Sequence, residues 1–163
     1  MQLLTFKACG HAYAIESKAV VEVLPQVPVR AMPRLPDYIV GMFNYRGKMI
    51  PVVDLTRRLS DRFAAERLST RVIVVEYGIP EGHVDSPRFR QVRMGLMAED
   101  VISTQSSKDA DTAFPTMHLE IAPFLGRIVR LNGETIQVVI VEKLLPTDIA
   151  AGLFTDAAAL HSQ

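Results

Sequence analysis

Residues Gly41–Leu55, GMFNYRGKMIPVVDL, hold the pattern from which the rest of the chain can be read. Two apolar arms, Ile39–Tyr45 and Met49–Val53, are rich in β-branched and aromatic residues and are parted by Arg46-Gly47-Lys48. That arrangement predicts two short strands joined by a tight turn. Gly47 can supply the positive φ that such a turn needs, and Arg46 and Lys48 set two cations beside it. Pro51 has no amide hydrogen for a ladder, so the second arm is either an edge strand or turns its nitrogen away from a neighbour. Asp54 is placed to N-cap a short helix over Leu55–Leu59, its carboxylate accepting from the free amides of the first turn.

Outward from this hairpin the chain keeps the same style of short strands and turn signals. Leu3–Lys7 and His11–Ile15 read as a hairpin around Cys9-Gly10. Ser17 can cap a helical turn over Lys18–Val21. Pro25, Pro28, Pro33 and Pro36 exclude a long helix and favour extended segments, with Val27–Met32 a strand. Ser60–Thr70 is charged and loop-like, and Arg71–Tyr77 (RVIVVEY) is a buried strand whose partner is Val92–Met97. Gly78–Gln91, with its glycine, prolines and charges, reads as a long exposed hairpin loop. Ser103–Met117 is polar and reads as a loop. From Phe124 the run FLGRIVRLNGETIQVVIVEKLL predicts two strands around Asn132-Gly133 and then a short helix. The alanine-rich end beyond Pro146 predicts a terminal helix. So many short strands with little helix argue for an all-β domain, barrel or sandwich.

Composition narrows the function classes. A chain of 163 residues buries roughly 70% of its unfolded surface, enough for a core without staples. Lys and Arg number 18, Asp and Glu 18, so net charge supplies no electrostatic case for nucleic acid or an anionic membrane as partner. A lone cysteine forms no internal disulfide, which fits a reducing compartment. No stretch reaches the apolar length of a membrane span and the N-terminus lacks the pattern of a secretory leader, so the expectation is a soluble, cytoplasmic protein without direct membrane insertion.

Catalytic chemistry finds no support. His11, His83, His118 and His161 are scattered, without a metal-ligand spacing. Cys9 has His11 two residues on but no further activating arrangement. Asp109 and Asp111 read as solvated loop acids, and no glycine loop is built to cradle phosphate. The expectation is therefore no cofactor and no metal, and a protein that works by recognition.

The spaced pattern Gly-x-x-Asn-x-Arg-Gly-x-x-x-Pro-Val-x-Asp-Leu, met by Gly41, Asn44, Arg46, Gly47, Pro51, Val52, Asp54 and Leu55, resembles the signature of CheW-like coupling domains. Gly95-Leu96-Met97-Ala98-Glu99-Asp100-Val101 is similar to the family's second run, Gly-Leu-x-Val-Asp-x-Val, with Ala98 and Glu99 standing where the family has valine and aspartate. Gly126 and Leu144-Leu145 fit the family's closing segment. The resemblance implies two intertwined five-stranded SH3-like β-barrels sharing a hydrophobic interface over residues 1–146, with 147–163 as a C-terminal helix or tail. It also implies a non-enzymatic adaptor that couples the cytoplasmic tip of a chemoreceptor, a methyl-accepting protein, to the regulatory domain of a CheA-type histidine kinase. Self-association through barrel edges is a further expected contact, and recruitment to membrane receptor arrays follows from the receptor contact.

Within that reading, Glu22 matches the acidic position of the family's Val-x-Glu-Ile-like segment, here Val20-Val21-Glu22-Val23, and is expected to pair with Arg46 at a receptor-facing groove. Val20 and Met42 are expected to line that groove, and Asn44 completes the partner-binding set. Gly41, Gly47, Pro51 and Asp54 form the structural motif, and turn chemistry gives Asn44 a structural part as well. Two other classes compete. A nucleic-acid-binding small barrel calls for a basic stripe interleaved with aromatics, and an accessory phosphatase acting on an aspartyl phosphate calls for a positioned acid and amide.

Overall fold

The computed structural model describes residues 2–81, 85, 88–106, 111–114 and 121–160, and of their side chains all but those of 103–106, 111–114 and 155–160. Three hairpins frame it: β1 (Gln2–Ala8) with β2 (His11–Glu16), β4 (Ile39–Tyr45) with β5 (Lys48–Asp54), and β9 (Leu125–Leu131) with β10 (Glu134–Val139). Each turn is a doublet ending in glycine with positive φ at both residues: Cys9 47° and Gly10 79°, Arg46 51° and Gly47 87°, Asn132 53° and Gly133 78°. This is the turn whose twist suits the right-handed twist of paired strands. The central turn is thus shorter than the sequence reading has it, because Lys48 already pairs with Tyr45 in the ladder.

The other strands are β3 (Val20–Pro25), β6 (Arg71–Glu81), β7 (Arg88–Ser106) and β8 (Asp111–Phe114), with helices α1 (Leu55–Leu59) and α2 (Thr147–Leu160). β7 joins two strand sets. Its first part, Arg88–Ala98, runs antiparallel to β6 and, over Gly95–Met97, parallel to β5; its last part, from Glu99, runs antiparallel to β1. Between the two, the β1–β7 register slips and Asp100 takes φ 49°, a bulge that turns the strand from one set into the other. The sets read β4-β5-β7-β6-β3 and β7-β1-β2-β10-β9-β8.

Each set has its own apolar cluster. Phe43, Tyr45, Ile50, Val52, Val72 and Val74 belong to the first, and Leu3, Ala14, Val129, Leu131, Ile136 and Val138 to the second. The largest cluster draws on both sets and on the helices, including Phe6, Ile73, Met94, Leu96, Phe124 and Phe154. Each such side chain contributes roughly 1.5–3 kcal/mol by leaving water, so this shared cluster is what holds the sets together. α2 docks on it through Ala150 and Phe154, the latter edge-on to Tyr77 with ring centroids 6.2 Å apart.

Several sequence expectations need correcting. Val27–Met32 is not a strand: only Arg30 pairs, with Met42, because the flanking prolines keep the rest from donating or aligning. Much of Gly78–Gln91 is strand instead of loop, since the ladder from Tyr77↔Val92 continues through Gly78↔Gln91 to Glu81↔Arg88, and a ribbon with a solvated face accepts polar side chains. β7 likewise runs on to Ser106 and β8 forms within the expected Ser103–Met117 loop, because β1 and β9 offer backbone partners whatever the side chains are. Residues 107–110, 115–120 and 161–163, which include Asp109, His118 and His161, lie outside the described residues, as does His83. The turn expected at Lys18–Val21 is a 3-10 turn over Ser17–Ala19; Glu16 holds its N-cap position without a side-chain bond, so Ser17 does not cap it.

Candidate functional site

The β4–β5 turn builds the site. A left-handed conformation costs a non-glycine residue about 1–2 kcal/mol, yet Arg46 adopts it at φ 51° with 65% of its side chain exposed. Its Nη2 donates to Glu22 Oε2 at 3.1 Å, and the Tyr45 hydroxyl donates to the same oxygen at 2.5 Å. The guanidinium also lies 5.1 Å from the centre of the Tyr45 ring. One carboxylate on β3 is therefore clasped by two consecutive residues of the hairpin, and the Tyr45 phenol is held above its ordinary pKa, first by that hydrogen bond and then by burial. Asn44 Oδ1 accepts from Gly47 N at 2.8 Å, which closes the turn beneath Arg46.

Below the clasp opens a groove of about 530 Å³ between β3 and β4, lined by Leu24, Val27, Pro28 and Phe43 along with Glu22 and residues 44–46. Gly41 lies just beyond this lining, where the segment after Pro28 crosses β4. A Cβ there would stand 2.5 Å from Arg30 O, so only glycine lets the Val27–Met32 segment cross β4 this closely. Arg30 N donates to Met42 O at 2.8 Å and Met42 N donates to Arg30 O at 2.9 Å. Both polar groups of Met42 thus face away from β5, and its cross-strand partner Pro51 loses nothing by lacking an amide hydrogen. At the far end of β5, buried Asp54 accepts from Arg57 N at 3.2 Å and from Ala64 N at 2.9 Å. Burial pushes its carboxyl up, against the pull of those hydrogen bonds. Glu99 Oε1 accepts from Ala65 N at 2.7 Å, so the carboxylate of the second signature run anchors the segment after α1.

Glu22, Asn44 and Arg46 come together; Val20 and Met42 do not join them. A bulge lies between Val20↔Val75 and Glu22↔Val74, so Val20 shares the face of Val75 in the largest cluster while Glu22 and Leu24 share the face of Val74 and Val72. Simple alternation puts residues 20, 22 and 24 on one side, and the bulge overturns it. Met42 points to the face of β4 opposite Phe43 and Tyr45. The sequence reading gave Tyr45 no part beyond ending the first arm of the hairpin, and missed a second pair, Arg93 Nε to Glu76 Oε2 at 2.8 Å, whose guanidinium lies 6.0 Å from the Tyr45 ring centre. The cross-strand register Glu76↔Arg93 was the available signal for that pair.

This clasp-and-groove arrangement can recognise a partner. It presents a fixed cation, a shared carboxylate and an apolar trough. Several known proteins have chains similar to this one. The family model described as CheW-like domain matches residues 2–148. The chain is 25% identical over 150 residues to chemotaxis protein CheW of Rhizobium meliloti (strain 1021), covering 90% of this chain and 88% of that one. It is 31% identical over 150 residues to protein FrzA of Myxococcus xanthus, covering 90% and 86%. Among solved structures, the scaffolding protein TtCheW from Thermoanaerobacter tengcongensis superposes with a TM-score of 0.66 at 23% identity, covering 89% of this chain and 87% of that one, which shows a shared β-barrel fold. With the family model spanning nearly the whole chain, the protein belongs to the CheW-like domain family.

Proposed function

We propose that this chain is a non-enzymatic adaptor that couples a methyl-accepting chemoreceptor to a CheA-type histidine kinase, with the Glu22–Arg46 clasp at its receptor-facing groove. The observation that carries the reading is Arg46 itself: a strained, exposed arginine fixed over an apolar groove by Glu22 and Tyr45. Fixing the guanidinium beforehand lowers the ordering cost of docking, and a planar fork of donors suits a partner carboxylate. Binding of this kind requires apolar surface and a few orienting charges and no bond-making step. The names of the relatives, chemotaxis and scaffolding proteins, support the same role.

Residues 1–146 form the coupling unit in this reading, as two barrel subdomains, and 147–163 is an appended helix. The protein acts in the cytoplasm and is recruited to receptor arrays; no helix among the described residues is long and apolar enough to cross a membrane. Coupling requires both partners at once, so in this reading the kinase's regulatory domain takes a face other than the groove, and self-association through strand edges is a further contact. Pull-down with a soluble cytoplasmic receptor fragment and with the kinase regulatory domain tests this directly. Arg46→Ala loses receptor capture and keeps kinase capture; equal capture of the receptor by the variant, with a native circular dichroism spectrum, would falsify the role of the clasp.

A further inference from the structure

Beyond the sheet body, β6 and β7 continue as a two-stranded ribbon. β3 pairs with β6 only over Arg71–Val75 and β5 pairs with β7 only over Gly95–Met97, so residues 76–81 and 88–93 have each other as strand neighbours. The ribbon's root is anchored, because Tyr77 and Val92 are buried in the largest cluster. Its other face carries the cross-strand pairs Glu76↔Arg93, Gly78↔Gln91 and Pro80↔Phe89. Arg93 reaches the Tyr45 ring, so this face begins where the clasp ends. It finishes at Phe89, which is 66% exposed.

Phe89 is exposed but not loose. Gly78 has no side chain, and a Cβ placed there would stand 3.3 Å from Phe89 Cβ and 3.5 Å from Cδ1, so the Phe89 ring leans on bare backbone. An aromatic laid over a cross-strand glycine is a recognised way of stiffening a strand pair. Exposed aromatic area in a fixed pose is the usual form of an anchor at a protein interface.

We propose that the receptor-binding surface does not stop at the clasp but continues along this face of the ribbon, with Phe89 as a second anchor for the same receptor, docked as a helix. The inference rests on the adaptor reading above. Phe89 lies four residue steps from Arg93 along β7, so the anchor is roughly 14 Å beyond Arg93. A partner helix spans that distance in about nine residues. A helical receptor segment that reaches both points therefore places a carboxylate at the turn, where Arg46 and Lys48 outweigh Glu22, and an apolar side chain at least two turns farther along, against Phe89 and Pro80.

The test is titration of a soluble cytoplasmic fragment of a methyl-accepting chemoreceptor from the same genome into the full chain and into Phe89→Ala, Phe89→Leu and Arg46→Ala. Phe89→Ala is expected to weaken receptor binding about tenfold, Phe89→Leu to restore most of it, and both to bind the kinase regulatory domain as the parent does. A photoreactive phenylalanine analogue at position 89 is expected to cross-link to the receptor helix. If Phe89→Ala binds like the parent while Arg46→Ala is weakened, the ribbon inference is overturned and the clasp reading stands. If the folded parent chain binds no receptor fragment, the adaptor reading falls and takes this inference with it.

Discussion

Replacing Gly41 by alanine tests whether the close crossing of Arg30 over β4 depends on a residue without a side chain. The added Cβ would meet Arg30 O at 2.5 Å and Arg30 C at 2.8 Å, both backbone atoms that have no rotamer to retreat into. Restoring ordinary contact requires the Arg30 segment to move by roughly 1 Å, and overpacking of this kind costs about 1–3 kcal/mol. The same movement strains the two hydrogen bonds between Arg30 and Met42, each contributing about 1 kcal/mol. Gly41→Ala is therefore expected to lose about 2–4 kcal/mol in urea unfolding with an unchanged slope, and to speed hydrogen exchange at the Arg30 and Met42 amides. Gly47→Ala is the control. Its Cβ would meet nothing within 4 Å, and only its φ of 87° is unfavourable, so the loss is expected to be about 1–2 kcal/mol and smaller than that of Gly41→Ala. Equal losses for the two variants, or undisturbed exchange at Arg30 in Gly41→Ala, would mean that the crossing does not depend on glycine.

Three further outcomes follow from the same geometry. Asp54→Asn leaves one acceptor oxygen for two backbone amides, and is expected to destabilise by about 1–3 kcal/mol. Because burial raises the folded pKa of Asp54 above its unfolded value near 3.8, the native state holds the proton longer. The stability of the parent relative to the variant should thus fall as pH rises from 3.8 through that raised value, as denaturation at stepped pH would show. Tyr45 behaves alike in the alkaline range: its raised folded pKa means that the parent begins to lose stability relative to Tyr45→Phe as pH climbs past the ordinary phenol value of 10.0, which thermal melts across that range would detect. Phe154→Ala removes a buried ring that meets Tyr77, and about 3 kcal/mol of stability with it, read by calorimetric melting; a loss near zero would mean that α2 is not docked in solution.

The hairpins were legible because their turns are written in doublets. Cys9-Gly10, Arg46-Gly47 and Asn132-Gly133 each put glycine at the second left-handed position, and the flanking arms have the residues that strands favour. Only the asparagine doublet is a strong signal by itself; an arginine in the left-handed region was not foreseen, because Arg46 is held there by contacts to Glu22 and Tyr45 that come from another strand and from its own neighbour. The Glu22–Arg46 pairing came through the family resemblance, while the side on which Val20 points was hidden by a bulge that no period-two count reveals. The ribbon and the end of β7 were hidden for a different reason. Their strand character comes from backbone partners supplied by distant segments, and polar residues such as Arg90, Gln91 and Ser106 carry no trace of that.

The most direct test of the central claim is titration calorimetry of the purified chain with the receptor's soluble cytoplasmic fragment and the kinase regulatory domain, singly and together, with Arg46→Ala alongside. Saturable binding to each is expected, with a ternary complex when both are present and receptor binding weakened about tenfold by Arg46→Ala while kinase binding is unchanged. Mutually exclusive binding of the two partners by a folded chain would contradict that claim, as would a receptor affinity indifferent to Arg46.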